Sequence, residues 1–316
     1  MTDKIFEKYK NMPWLTHTTR DPDKKTSEEI LPAMLNLRAQ YPLVPGTEME
    51  YLNDETPDGV SRTDYVTGAG QSLTIYKLTG KHEKEDRLVF YIHGGGYVRG
   101  NGMYSRSNAR LHLEKLGLPV ACCDYRVAPK DREPAALNDV IAAYRFLADE
   151  LKYDPEKIFI TGDSAGGQLA VSLGLRLKSA GEKMPKAFAL YSPSPNLTMS
   201  SISHELNIGK DKIFPKGVRG FISVYADEDR LQSPDVSPVF GDFSGGFPKT
   251  YFCADDTEVM CSDTLECGAK MAEQGVEVKT HIFHNLWHAF PTLHPLPPFP
   301  KELDEVFAEV KAFFEI

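Results

Sequence analysis

No stretch of the 316-residue chain approaches the roughly 18 consecutive apolar residues that a membrane-spanning helix needs. The first 30 residues, rich in Lys, Asp and Glu, also lack the apolar core of a secretory leader, so the sequence predicts a cytoplasmic protein. Excess positive charge is missing as well. Lys+Arg 36 against Asp+Glu 45 gives a formal net charge of −9, which leaves no basic footprint for DNA or RNA. Cysteine is scarce and odd in number. Cys122, Cys123, Cys253, Cys261 and Cys267 fit no zinc spacing, and they predict reduced, buried thiols rather than a disulfide framework. Internal repeats and low-complexity tracts are absent, and the Asn196-Leu197-Thr198 sequon is idle without export.

What remains is the composition of an ordinary globular protein, 41% hydrophobic and 26% charged, so global disorder is excluded. At roughly 150 residues per domain the length suits two domains or one large one. Residues 1–50 read as two helices, Asp3 to Met12 and Thr26 to Gln40, the second capped by Thr26-Ser27-Glu28-Glu29 and stopped by Pro42 and Pro45. From residue 60 the pattern turns to strands: Gly59–Val66, Gln71–Leu78 and Asp86–His93. Strands at Leu118–Asp124, Lys157–Thr161, Ala187–Tyr191, Lys249–Cys253 and Val276–Phe283 then alternate with helices at Pro134–Leu151, Ala165–Ala180, Cys261–Gln274 and Leu303–Phe314. Short apolar runs such as Leu88–Ile92 are continuous, as strands covered on both faces are. The predicted fold is therefore α/β, with a mostly parallel, doubly wound central sheet. Residues 192–247, rich in Ser, Pro and Gly, break the alternation and predict an insertion over the sheet edge where ligands bind.

Gly162-Asp163-Ser164-Ala165-Gly166-Gly167 lies between a strand and a helix. A Gly-x-Ser-x-Gly in that context makes a sharp turn that lifts the serine hydroxyl above the sheet, and the flanking glycines remove clashes. As a bare string it is weak, since this composition yields one by chance roughly one time in ten. His93-Gly94-Gly95-Gly96-Tyr97, after the strand Leu88–Ile92, is a chance event of about one in several hundred. Its glycines expose backbone N–H groups that can face an oxygen becoming negative when a carbonyl is attacked. Phosphate binding is the competing use of such a loop, but no Gly-Lys-Ser/Thr or Gly-x-Gly-x-x-Gly opens a following helix.

A serine hydroxyl needs a base to take its proton, and the base needs an orienting carboxylate. Of the late histidines His281, His284, His288 and His294, His281 falls inside a strand, whereas His288 lies in the loop beyond it, where a base can reach a serine at another strand end. His284 and His288 are spaced like a metal pair, but no Glu follows His284 and no further ligand set appears. Asp255, Asp256 and Glu258 all qualify on position as the carboxylate, and spacing alone does not choose among them.

From about residue 86 to 316 the chain resembles the hormone-sensitive-lipase-like (bacterial family IV) carboxylesterases and acetyl esterases of the α/β-hydrolase fold. The likeness rests on His93-Gly94-Gly95-Gly96-Tyr97, Asp124-Tyr125-Arg126-Val127-Ala128-Pro129, Gly162-Asp163-Ser164-Ala165-Gly166-Gly167 and Trp287-His288-Ala289-Phe290, in the order Ser, acid, His. The resemblance implies a serine esterase acting on short-acyl esters through an acyl-enzyme, with no metal or organic cofactor. Ser164 would be the nucleophile, His288 the base, and the amides of Gly94, Gly95 and Ala165 the oxyanion hole. His93, Gly96, Gly162, Asp163 and Gly166 would support them, Asp163 by holding the turn. The sequence departs from the family at the acid, where members usually carry Asp-Pro-Leu or a Glu-Val-Leu-Leu-like string and this chain reads Thr257-Glu258-Val259-Met260-Cys261-Ser262-Asp263. Ungapped matching selects Glu258, with Asp256 and Asp255 as alternatives. Lys130 replaces an acidic residue after the Arg-x-Ala-Pro segment, and Asn196 an aspartate after Ser192-Pro193.

The same likeness implies a cap made by residues 1–50 and part of 192–247, over a catalytic domain of residues 51–316. It implies a small-molecule ester as partner, and leaves the oligomeric state open, although such relatives often dimerise through edge strands or closing helices. Lactones or amides would use the same groups. A receptor-like member of the fold that binds without turnover is the reading from a different class.

Overall fold

The computed structural model describes residues 3–21, 32, 60–293 and 301–316. Nine strands among them form one sheet: β1 (Leu15–His17), β2 (Val60–Val66), β3 (Ser72–Leu78), β4 (Leu88–Ile92), β5 (Val120–Asp124), β6 (Ile158–Asp163), β7 (Ala187–Tyr191), β8 (Lys249–Asp255) and β9 (Val278–Phe283). Their order across the sheet is β1-β9-β8-β7-β6-β4-β5-β3-β2. β3 runs antiparallel to both β2 and β5, and every other neighbouring pair is parallel. β4 and β7 are buried along their whole length, which requires cover on both faces.

The helices that supply the cover are α2 (Met103–Leu116), α3 (Ala135–Arg145), α4 (Ala165–Ser179), α7 (Cys261–Glu273) and α8 (Lys301–Phe314). α2 packs against α8, and α3 against α4. α1 (Asp3–Phe6) precedes the sheet, while α5 (Ser203–Leu206) and α6 (Arg219–Tyr225) lie within the insertion between β7 and β8. The arrangement is the α/β-hydrolase architecture that the sequence motifs imply.

Three differences from the sequence reading have local physical causes. α2 was not predicted, because the positions it buries at helical spacing include Ser105, Asn108 and His112 as well as Ala109 and Leu116. A helix whose inner face carries polar groups shows little apolar periodicity. At the amino end α1 stops at Phe6, well short of Met12, and beyond Pro13 the chain turns extended to add β1 beside β9. This part of the predicted helical cap therefore extends the sheet, and Ile5, Phe6 and Tyr9 pack on Ala254, Cys261 and Leu265. The predicted helix Thr26 to Gln40 lies outside the described residues. Finally, β8 runs on through Ala254 and Asp255, so the acid-rich loop begins later than the sequence suggests. All five cysteines are buried and free, as their spacing predicts. Among the described residues no helix is long and apolar enough to cross a membrane.

Candidate active site

The turn between β6 and α4 holds Ser164 at φ 52°, ψ −120°, a strained conformation for a non-glycine residue. The surrounding glycines make it feasible. A Cβ on Gly166 would sit 2.1 Å from the Ile92 carbonyl oxygen, far inside contact distance. The Ser164 N–H donates to the Tyr191 carbonyl at the end of β7 (2.9 Å), which fixes the turn at the carboxyl edge of the parallel strands.

His288 follows β9, and its Nδ1 lies 2.5 Å from Glu258 Oε2. Both side chains are buried. An ionised carboxylate only accepts, so it holds the ring proton on Nδ1 and leaves the Nε2 lone pair available. Nε2 is buried with no hydrogen-bond partner among the described residues, a state that costs stability and is kept where chemistry uses it. The loop carrying the ring is tied on both sides. The Ala289 N–H donates to Ser192 Oγ (2.8 Å), one residue beyond the Tyr191 that anchors Ser164, and the Leu286 N–H donates to Asp255 Oδ2 (2.7 Å). Glu258 is fixed in turn by the Asp255 N–H on its Oε1 (2.9 Å). The Phe214 and His288 rings pack edge to face with centroids 5.0 Å apart, so Phe214 shields part of the base from water.

The glycine loop after β4 is locked to the same turn through Asp163. Its Oδ1 accepts from Tyr91 OH (2.6 Å) and from the Gly94 N–H (3.0 Å), and its Oδ2 accepts from Tyr104 OH (2.9 Å). Burial pushes the Asp163 carboxyl up, and these donors oppose the shift. The structure therefore differs from expectation at Gly94, whose N–H is already engaged. The N–H groups of Gly95 and Ala165 have no hydrogen bond among the described residues. Gly95 has φ 119°, and a Cβ there would lie 2.0 Å from the Arg99 carbonyl oxygen, so only glycine suits the position. His93 is buried, stacks on Tyr125 at 4.0 Å, and places its ring nitrogens 2.7 Å from Gly94 O and 2.8 Å from Asn101 Oδ1. Gly96 lines the cavity next to Ser164, and Gly162 closes the near side of the turn against Gly166.

The two alternative acids are engaged elsewhere. Asp256 Oδ2 meets His17 Nε2 (3.1 Å) and His284 Nδ1 (2.8 Å). Burial would raise this carboxyl, but the two imidazoles overcome it and hold the group below its usual range. Asp255 accepts from Leu286 N–H and from Thr257, through both its N–H (2.9 Å) and its hydroxyl. Burial first, then the neighbouring Asp256 carboxylate, push Asp255 from 3.8 up to about 7, against the Thr257 donors and Lys212. With its folded value above its unfolded value, the native state binds the extra proton, so stability is full below about pH 4 and declines as pH rises to about 7. The expected loss is up to about 4 kcal/mol. Asp255→Asn cannot titrate, so its urea midpoint should change less than the wild type's between pH 4 and 8. Equal pH dependence in the two proteins would exclude Asp255 as the source.

Sequence reasoning did not find the residues that brace the acid loop from the insertion. Asn207 Nδ2 donates to the carbonyls of Asp256 (2.9 Å) and Glu258 (2.8 Å), and Asp211 Oδ2 accepts from the Val259 N–H (2.9 Å). Lys212 Nζ donates to Asn285 Oδ1 (2.7 Å) and the Leu286 carbonyl. No local signal marks these polar residues in an irregular stretch. Two departures noted in the sequence are also resolved. Arg126 makes a two-pronged pair with Asp139 (2.9 and 2.8 Å), so Lys130 leaves no gap, and Asn196 turns back on Thr198. His284 and His288 face different carboxylates, and no group of three or more potential metal ligands occurs among the described residues.

A narrow slot adjoins the serine, and its lining includes Ser164, Ala165, Leu197, Phe214 and Ile222. A hydroxyl on an apolar slot, unengaged amides next to it, and an imidazole with a free nitrogen lone pair and a supporting carboxylate, packed on the slot's Phe214, can together carry acyl transfer.

Comparison with known proteins bears on the fold and the family. Residues 89–292 match the family defined by the alpha/beta hydrolase fold. An esterase of Acinetobacter venetianus is 29% identical over 230 residues, covering 72% of this chain and 74% of its own. The crystal structure of EstE5 soaked with p-nitrophenyl butyrate superposes with a TM-score of 0.74 at 26% identity, covering 90% of this chain and 97% of that one. An esterase from the bacterial hormone-sensitive lipase (HSL) family superposes at 0.71 with 25% identity, covering 93% and 92%.

Proposed function

Because the chain belongs to the α/β-hydrolase fold family, in its hormone-sensitive-lipase-like esterase branch, and is a carboxylic ester hydrolase, we propose that Ser164, His288 and Glu258 are its catalytic triad. The observation that carries the proposal is the buried Glu258–His288 pair, with an unpartnered Nε2, beside the strained serine turn. In the first half-reaction His288 Nε2 takes the Ser164 proton while Oγ attacks the ester carbonyl carbon. The carbonyl oxygen becomes negative and is held by the Gly95 and Ala165 amides, each such donor contributing ~3 kcal/mol to the transition state. Collapse of the tetrahedral species breaks the bond to the alkoxy oxygen. The imidazolium, steadied by Glu258, delivers the proton to that oxygen and the alcohol leaves. Water then repeats the sequence on the acyl-enzyme, with His288 as base, and releases the acid and free Ser164. Asp163 acts by position, since one carboxylate joins the glycine loop to the serine turn.

We assign part of residues 192–247 to a cap over the site. The hydrogen bonds from Asn207 and Lys212, and Asp211's acceptance of the Val259 N–H, support this, because they bind the insertion to the acid and base loops. The small slot supports a preference for short acyl chains, and five buried free thiols suit a reducing, cytoplasmic setting. The test is a p-nitrophenyl ester series from acetate to decanoate. Turnover should peak at butyrate or shorter. A peak at long chains contradicts the acyl preference, and tight ligand binding without turnover of any ester would make the protein a receptor of the same fold.

A further inference from the structure

Two cavities meet at the insertion. One is the slot beside Ser164, and the other is a wider cleft whose lining includes Ile202, Glu205, Ile208, Lys216 and Arg219. Ile202 and Ile208 are exposed, so this second cleft opens on the outer surface. His204 and Val218 line both cavities and so separate them.

The partition is held rigidly. His204 Nε2 lies 2.8 Å from Asp263 Oδ2, and the other oxygen of that fully buried carboxylate accepts from Ser201 Oγ (2.6 Å). Next to it Ser203 Oγ donates to the Val259 carbonyl (2.7 Å) and accepts from the Ser262 N–H (2.9 Å), pinning α5 to the start of α7. Val218 follows a turn closed by the Gly217 N–H on the Phe214 carbonyl (2.8 Å), the same Phe214 that shields His288.

We propose that His204 and Val218 form the end wall of the acyl slot and set the longest acyl chain the enzyme accepts. The inference rests on Ser164 being the nucleophile and the slot being the acyl site. Along an apolar slot each added methylene strengthens binding roughly fourfold. A chain that reaches the wall has to displace an imidazole anchored on a buried carboxylate, so the gain reverses there. Without the wall the chain continues into the outer cleft, whose lining includes the apolar Ile202 and Ile208.

The experiment compares kcat/KM for p-nitrophenyl butyrate and octanoate within each protein, so a general loss of activity cancels from the ratio. In Val218→Ala and His204→Ala the octanoate-to-butyrate ratio should rise tenfold or more over the wild type. His204→Ala leaves the buried Asp263 with Ser201 alone and can fail to fold. Val218→Ala leaves the His204–Asp263 pair intact and then decides the matter. A folded Val218→Ala with the ratio within twofold of wild type overturns the partition, provided Ser164→Ala silences both esters. Turnover that survives Ser164→Ala removes instead the premise about the nucleophile, and the partition falls with it.

Discussion

Replacing Ser164 by alanine should lower kcat/KM for p-nitrophenyl butyrate by a factor on the order of 10⁵ or more while leaving the fold intact. The size of the effect follows from the chemistry. Without Oγ no acyl-enzyme forms, and what remains is positioning and the amides around the carbonyl, which assist attack by water only weakly. The fold should survive because no hydrogen bond of the Ser164 side chain is found among the described residues and its backbone bonds to Tyr191 and Gln168 are untouched. Alanine also tolerates the φ of 52° about as well as serine does. Circular dichroism and urea unfolding should place the variant within about 1 kcal/mol of wild type. A folded Ser164→Ala protein that keeps a tenth of the activity would refute serine catalysis here.

Glu258→Gln should reduce kcat by about 10³–10⁴ with little change in KM. The amide keeps the carboxylate's shape and can still accept the Asp255 N–H. Facing His288 Nδ1, however, it can present an N–H donor. That favours the tautomer with the proton on Nε2, where it blocks deprotonation of Ser164, and no negative charge steadies the imidazolium. Asp256→Asn is the control. Asp256 binds His17 and His284 rather than His288, so its loss should cost less than about tenfold in kcat and be felt mainly as weaker docking of β1. If Asp256→Asn is crippling and Glu258→Gln is mild, the acid has been misassigned. Asp255→Asn separates the third candidate. It retains an acceptor for the Leu286 N–H, so activity should persist while the pH dependence of stability flattens.

Much of the catalytic centre is legible in the chain because its local geometry restricts residue type. A serine held at positive φ between a strand and a helix needs glycines around it, so the motif around Ser164 can be read directly. Gly95 is similarly confined, because a side chain would strike the Arg99 carbonyl. Glu258 is reachable only by family likeness, since Asp255 ends β8 and Asp256 opens the loop just before it, and nothing local in the sequence separates three neighbouring acids. Their distinction arises in space, where one oxygen of Glu258 meets His288 and Asp256 is enclosed by two other imidazoles.

By itself the sequence determined the alternation of strands and helices, the strained turn and the glycine loop. Those features follow from backbone sterics and apolar periodicity, which act between residues near one another in the chain. Only the tertiary structure decided that the Gly94 amide is taken by Asp163, that residues 15–17 extend the sheet, that Asn207, Asp211 and Lys212 brace the acid loop, and that His204 and Val218 stand between two cavities. These depend on polar side chains and cavity walls brought together from distant segments. Their pairing leaves no periodicity in the chain, because each polar partner alone is an ordinary surface-type residue until folding removes the water that would otherwise satisfy it.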